Sequence, residues 1–145
     1  RPAGPKTQPV GVTQVKVISP CAQETLPAIT LAGAAEEILG KLVKSGGGVN
    51  ALEEEVKDQC DLYQTVFGHS GDPKVHADLM NNPRNELKHP MSGNPLELNL
   101  EEEAVNLIQR AIDNFQRLRP GPNAMFQRFE DEAAAWYRRF SEQIV

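Results

Sequence analysis

Cysteine is scarce: the 145 residues include two, Cys21 and Cys60, whose spacing matches no zinc site. A disulfide-stapled scaffold is therefore not expected, and two reduced, buried thiols in an intracellular, cytoplasmic protein is the reading that fits. Long apolar runs are missing too, which leaves no segment to span a bilayer and no membrane role. Positive charge is short: 15 Lys and Arg stand against 20 Asp and Glu, a formal net charge of -5. That balance argues against coating nucleic acid non-specifically through many phosphate contacts, although it is compatible with a small, locally basic site. The opening "RPAGPKTQPVGV" has neither the apolar stretch of a secretory signal nor an initiating Met, and reads as a processed or trimmed start. Nothing repeats at a fixed period, which argues against a solenoid. "SGGG", residues 45–48, lacks the Lys and Ser or Thr of a phosphate loop and reads as a connector. His69 and His76, with Asp72 and Asp78 nearby, match no tetrahedral or two-histidine helix spacing, so neither a metal nor a cofactor is expected.

What is present is helical periodicity. The length suits one domain, with residues 1–18 as an extended arm and 19–145 as a single helical bundle. In the arm, Val12, Val15 and Val17 suit a short strand, with pairing across a dimer as one arrangement for it. From Thr25, with Pro27 in the first turn, Leu31, Ala35, Ile38, Leu39 and Leu42 recur at three-and-four spacing and predict an inward-facing stripe. Asn50 with Glu53 forms a capping-box pattern ahead of Leu52, Val56, Cys60, Tyr63 and Phe67. Asp72 with Pro73, and Asn82 with Pro83, both signal helix starts, predicting two short pieces or one kinked helix that ends before Pro90. Asn99 and Glu102 repeat the capping box before Val105, Ile108, Ile112, Phe115 and Leu118, which are expected inward. A last helix, about 123–144, puts Phe126, Phe129, Ala133, Trp136, Tyr137, Phe140 and Ile144 on one side. With no pair of convincing central strands, the expected fold is an all-α bundle of four to five helices.

One short stretch stands out: "NNPRNELKHP", residues 81–90. On a helix starting at Pro83, Asn85 and His89 are four apart and share a face, Leu87 points into the core, and the long Arg84 side chain can curve back toward them. An imidazole that titrates near neutrality can move a proton, and a guanidinium can stabilise charge on a phosphate. The competing reading is structural, with Arg84 and His89 as cations capping carbonyls at a helix C-terminus. Glu36 adds a second pair of alternatives: a carboxylate inside the bundle pairing with Arg84, or part of a solvated helix face.

"RNELKH", Arg84 to His89, resembles the Arg, polar residue, three residues, His motif of HEPN domains (higher eukaryotes and prokaryotes nucleotide-binding), which are small helical bundles. The resemblance extends over the helices from about Thr25 to Leu118. It implies an HEPN-like bundle and a homodimer in which two motif helices meet to form one composite, metal-independent endoribonuclease site. Arg84 would then hold the scissile phosphate, Asn85 would orient it or the histidine, and His89 would act as general acid or base. Glu36 and Lys88 are the accessory candidates. RNA, and an antitoxin or other protein, are the partners this implies. Many domains of this type are instead non-catalytic modules for dimerisation or for binding a protein or nucleotide, the alternative expectation here.

Overall fold

The computed structural model describes residues 15–17, 22–88 and 96–142. Among them the chain is an all-α bundle of five helices: α1 (Ala22–Ser45), α2 (Ala51–Phe67), α3 (Pro73–Lys88), α4 (Leu100–Leu118) and α5 (Ala124–Glu142). Two strands, β1 (Val15–Val17) and β2 (Leu96–Leu98), pair in parallel with Val15 opposite Leu96. The strand expected in the arm therefore finds its partner within its own chain. Val12 lies outside the described residues.

Local chemistry sets the helix ends. Asn50 Oδ1 accepts from Glu53 N at 2.9 Å, and Asn99 Oδ1 accepts from Glu101 N and Glu102 N, each satisfying donors that an uncapped first turn would leave open. Asp72 Oδ1 does the same for Lys74 N ahead of α3. Gly47, at φ 80, turns the chain out of α1 through a left-handed conformation that suits glycine. One helix expectation is corrected: helix α1 starts at Ala22, ahead of Thr25, and carries Pro27 inside it. Of the two arrangements expected around Pro83, the structure adopts the single helix, α3, with Pro83 inside it. Pro83 removes one backbone donor, a loss offset by the inward packing of the residues that follow it, Arg84, Glu86 and Leu87.

The core lies where α1 and α4 meet, the most extensive helix contact among the described residues. Ile29 and Ala32 of α1 pack with Leu100, Ala104 and Leu107 of α4, with Ala28, Leu87 and Ile108 against them. Small residues let the two helices approach closely. This turns most of the expected inner face of α1 outward: Ile29, Ala32, Glu36 and Val43 are buried and Ala35 and Leu39 half-buried, while Leu31 is 73%, Ile38 59% and Leu42 52% exposed. The face of α4 is rotated in part: Ile112 is buried and Ile108 packs against the core as expected, while Leu100, Ala104, Leu107, Arg110 and Asn114 also lie inside and Phe115 and Leu118 are exposed. Helix α5 is held to α4 by the Trp136 indole donating to Glu101, by Tyr137 donating to Asn106, and by an edge-on Phe115–Phe126 contact. Its Ala133 is buried, and Ile144 lies outside the described residues. No described helix is long and apolar enough to cross a membrane.

Candidate functional site

Arg84 stands on α3 directly after Pro83 and reaches back across the bundle to α1. Its Nη1 is 3.0 Å from Glu36 Oε2, with the two side chains 15% and 6% exposed. The same nitrogen lies 3.5 Å from the Gly33 carbonyl oxygen, and Arg84 Nε is buried with no acceptor. Gly33 makes room for this crossing, because a Cβ there would stand 3.0 Å from Arg84 Cδ. Of the two readings of Glu36, the structure adopts the inward one. Asn85, one residue on and about 100° round the helix, is exposed and faces away from the pair. His89 and the side chain of Lys88 lie outside the described residues. The structure thus brings Arg84 and Glu36 together and leaves Asn85 apart from them. An arginine so held is a tie between α1 and α3. Turning it toward a phosphate would leave the Glu36 carboxylate unpaired and almost wholly buried, a state that costs several kcal/mol.

A second polar cluster, absent from the sequence expectations, lies along the inner face of α4. Asn114 is fully buried; its Oδ1 accepts from Ala51 N at 2.8 Å, and its Nδ2 donates to the Glu36 carbonyl oxygen at 3.4 Å. One amide therefore joins α1, α2 and α4. One turn earlier, Arg110 is 2% exposed, yet its nearest carboxylate oxygen, Glu55 Oε2, is 3.7 Å away and its Nε has no acceptor. It borders a cleft of 340 Å³ with Glu55, Asp58, Gln59, Glu103 and Asn106, to which α3 adds Met80. Burial raises the Glu55 and Glu103 carboxyls above the ordinary carboxylate range, and Arg110 opposes both shifts. The Tyr137 phenol, donating to Asn106 Oδ1 at 2.6 Å, is raised first by burial and then by Glu102, Glu55 and Glu103. The signal for this face was in the sequence: Leu100, Ala104, Leu107 and Ala111 recur at four, three and four, and Arg110 and Asn114 fall within that stripe.

The third feature is apolar. The outward residues of α1 flank a groove of 430 Å³ between α1, α4 and the start of α5, lined by Leu31, Ala35, Leu39, Ile112, Phe115 and Phe126. Cys60 is a free buried thiol, and Cys21 lies outside the described residues. His69 and His76 both set their rings edge-on to Tyr63, and among the described residues no group of three or more His, Cys, Asp and Glu is disposed to hold a metal ion.

Compared with known proteins, the chain matches no family model, no curated protein and no solved structure.

Proposed function

We propose that this chain is a non-catalytic helical module that pairs with a second copy of itself through the outer face of α1. The observation that carries this reading is the seam of exposed Leu31, Ile38 and Leu42, with half-buried Ala35 between them, spaced four, three and four as in a coiled coil. Such a seam faces a partner helix, and a contiguous apolar patch of this kind marks an interaction surface. Two copies crossing near Ile38 about a two-fold axis would bury Leu31, Ile38 and Leu42 of each against the other. The adjoining groove, with Phe115 and Phe126 on its wall, would take the flank of the incoming helix. In this reading Arg84 and Glu36 fix α3 against the back of α1 and keep the seam in shape. The HEPN-like identity and the cytoplasmic setting belong to the same proposal, and RNA cleavage does not, because Arg84 is already committed to Glu36.

Two measurements test the two halves. Incubation with a mixed-sequence RNA in excess EDTA is expected to give no cleavage; cyclic-phosphate ends made by the wild type and lost in His89→Ala would overturn the non-catalytic half. Leu42→Glu is expected to weaken self-association, because it puts a charge into the seam. An unchanged dimer affinity in Leu42→Glu would overturn pairing through this face.

A further inference from the structure

Arg110 sits in an environment that does not complete it. A guanidinium carries five N–H donors and keeps its charge, so a nearly sealed one is normally met by carboxylates or carbonyls at hydrogen-bond distance. Here the closest carboxylate is 3.7 Å off, and the Nε–H is buried with no acceptor. Around it the cleft supplies an excess of the opposite charge, with Glu55, Asp58 and Glu103 on its walls and the amides of Gln59 and Asn106 between them. The floor calls for an acceptor, and the walls call for a cationic donor.

An anion alone would meet three carboxylates, and a cation alone would leave Arg110 incomplete. A molecule carrying both groups a few bonds apart answers both. The cleft volume of 340 Å³ lies at the small end of ligand sites, which run from about 300 to 1,000 Å³. We propose that this cleft binds a free α-amino acid, with its carboxylate on the Arg110 guanidinium and its ammonium among Glu55, Asp58 and Glu103.

The elements that build the cleft are the ones the bundle holds firmly. Arg110 lies one turn before Asn114, whose amide ties α4 to α1 and α2. Asn106 is held from outside by the Tyr137 hydroxyl of α5, so its side chain is oriented before any ligand arrives. Burial raises the Glu55 and Glu103 carboxyls and Arg110 opposes both shifts; a bound ammonium would oppose them further. The cleft borders α2, α3 and α4 and shares no lining residue with the apolar groove beside α1, so this inference stands apart from self-association.

The test is thermal unfolding of the full chain with each of the twenty free amino acids at millimolar concentration, beside n-propylamine and propionate as the separate charges. At least one amino acid is expected to raise the melting temperature by several degrees, as saturation of a native-state site does, while neither single-charge probe matches it. Asp58→Asn, at an exposed residue, and Arg110→Lys are expected to weaken that amino acid at least tenfold in titration calorimetry. Should Arg110→Lys lose its helical circular dichroism, Asp58→Asn carries the comparison alone. A shift with n-propylamine equal to that of the best amino acid would remove Arg110 from the site. No shift with any probe would mean that water alone fills the cleft, and either result overturns the proposal.

Discussion

Replacing Glu36 by alanine leaves the Arg84 guanidinium buried, with only the Gly33 carbonyl oxygen, 3.5 Å away, as a described partner. Breaking a buried pair from one side costs about 3–5 kcal/mol, because the remaining guanidinium keeps its charge and reaches little water. Both side chains are largely buried, 6% exposed for Glu36 and 15% for Arg84, so little of that is relieved by solvent. Domains have a total stability of about 5–15 kcal/mol, and in a chain of this size each kcal/mol moves the melting temperature by about 2–4 °C. The expected loss is then roughly 6–20 °C. In urea, the midpoint of Glu36→Ala should fall while the slope of the unfolding transition stays the same, showing that stability and not the exposed area has changed. The double variant Glu36→Leu with Arg84→Met replaces the pair with apolar groups and should recover most of the loss or exceed the wild type. A cost below about 1 kcal/mol for Glu36→Ala, as for a surface ion pair, would refute the tie. So would a double variant whose loss is the simple sum of the two single ones.

Asn114→Leu should cost about 1–3 kcal/mol in urea unfolding, since it strands the buried Ala51 N–H at the start of α2. Leu107→Ala should cost about 2–5 kcal/mol, while Leu31→Ala should stay within about 0.5 kcal/mol in the isolated chain, the reverse of what an inward Leu31 would give. Because burial raises the Glu55 and Glu103 carboxyls, the folded state binds their protons more tightly than the unfolded chain does. Their contribution is therefore most favourable below the ordinary carboxylate value and is lost as pH rises through their raised values. Melting temperatures followed across that window should show this slope in the wild type and a flatter one in Glu55→Gln with Glu103→Gln.

Helix ends were the most legible part of the fold. Asn50, Asp72 and Asn99 cap where their side chains predict, because capping depends on a few neighbouring atoms and not on the rest of the molecule. The direction in which each helix faces was harder to read. Helix α1 carries two stripes, one of large residues at Leu31, Ile38 and Leu42 and one of smaller and polar residues at Ala32, Gly33, Glu36 and Gly40. Bulk hydrophobicity favours the first as core. Close approach to α4 selects the second, since the Arg84 and Asn114 side chains must pass beside Gly33 and Gly40. A choice between two faces depends on the partner helix, and that partner is distant in sequence. The same holds for the candidate site: Arg84 and Glu36 were legible as residues and as one of two arrangements, but Arg110 and Asn114 look like surface residues until the face of α4 is known. At Pro83 the sequence left two pieces and one helix open, and the packing of the residues that follow decides for one helix over the local break signal.

The most direct test of the account is the molar mass of the purified chain by sedimentation equilibrium over a wide concentration range, beside Ile38→Glu. The wild type should approach twice the chain mass of 16.0 kDa, and Ile38→Glu should stay at 16.0 kDa with unchanged circular dichroism, because a charge in the middle of the seam cannot be buried unpaired. A wild type that remains at 16.0 kDa at every concentration, or an Ile38→Glu variant that dimerises equally well, would contradict it.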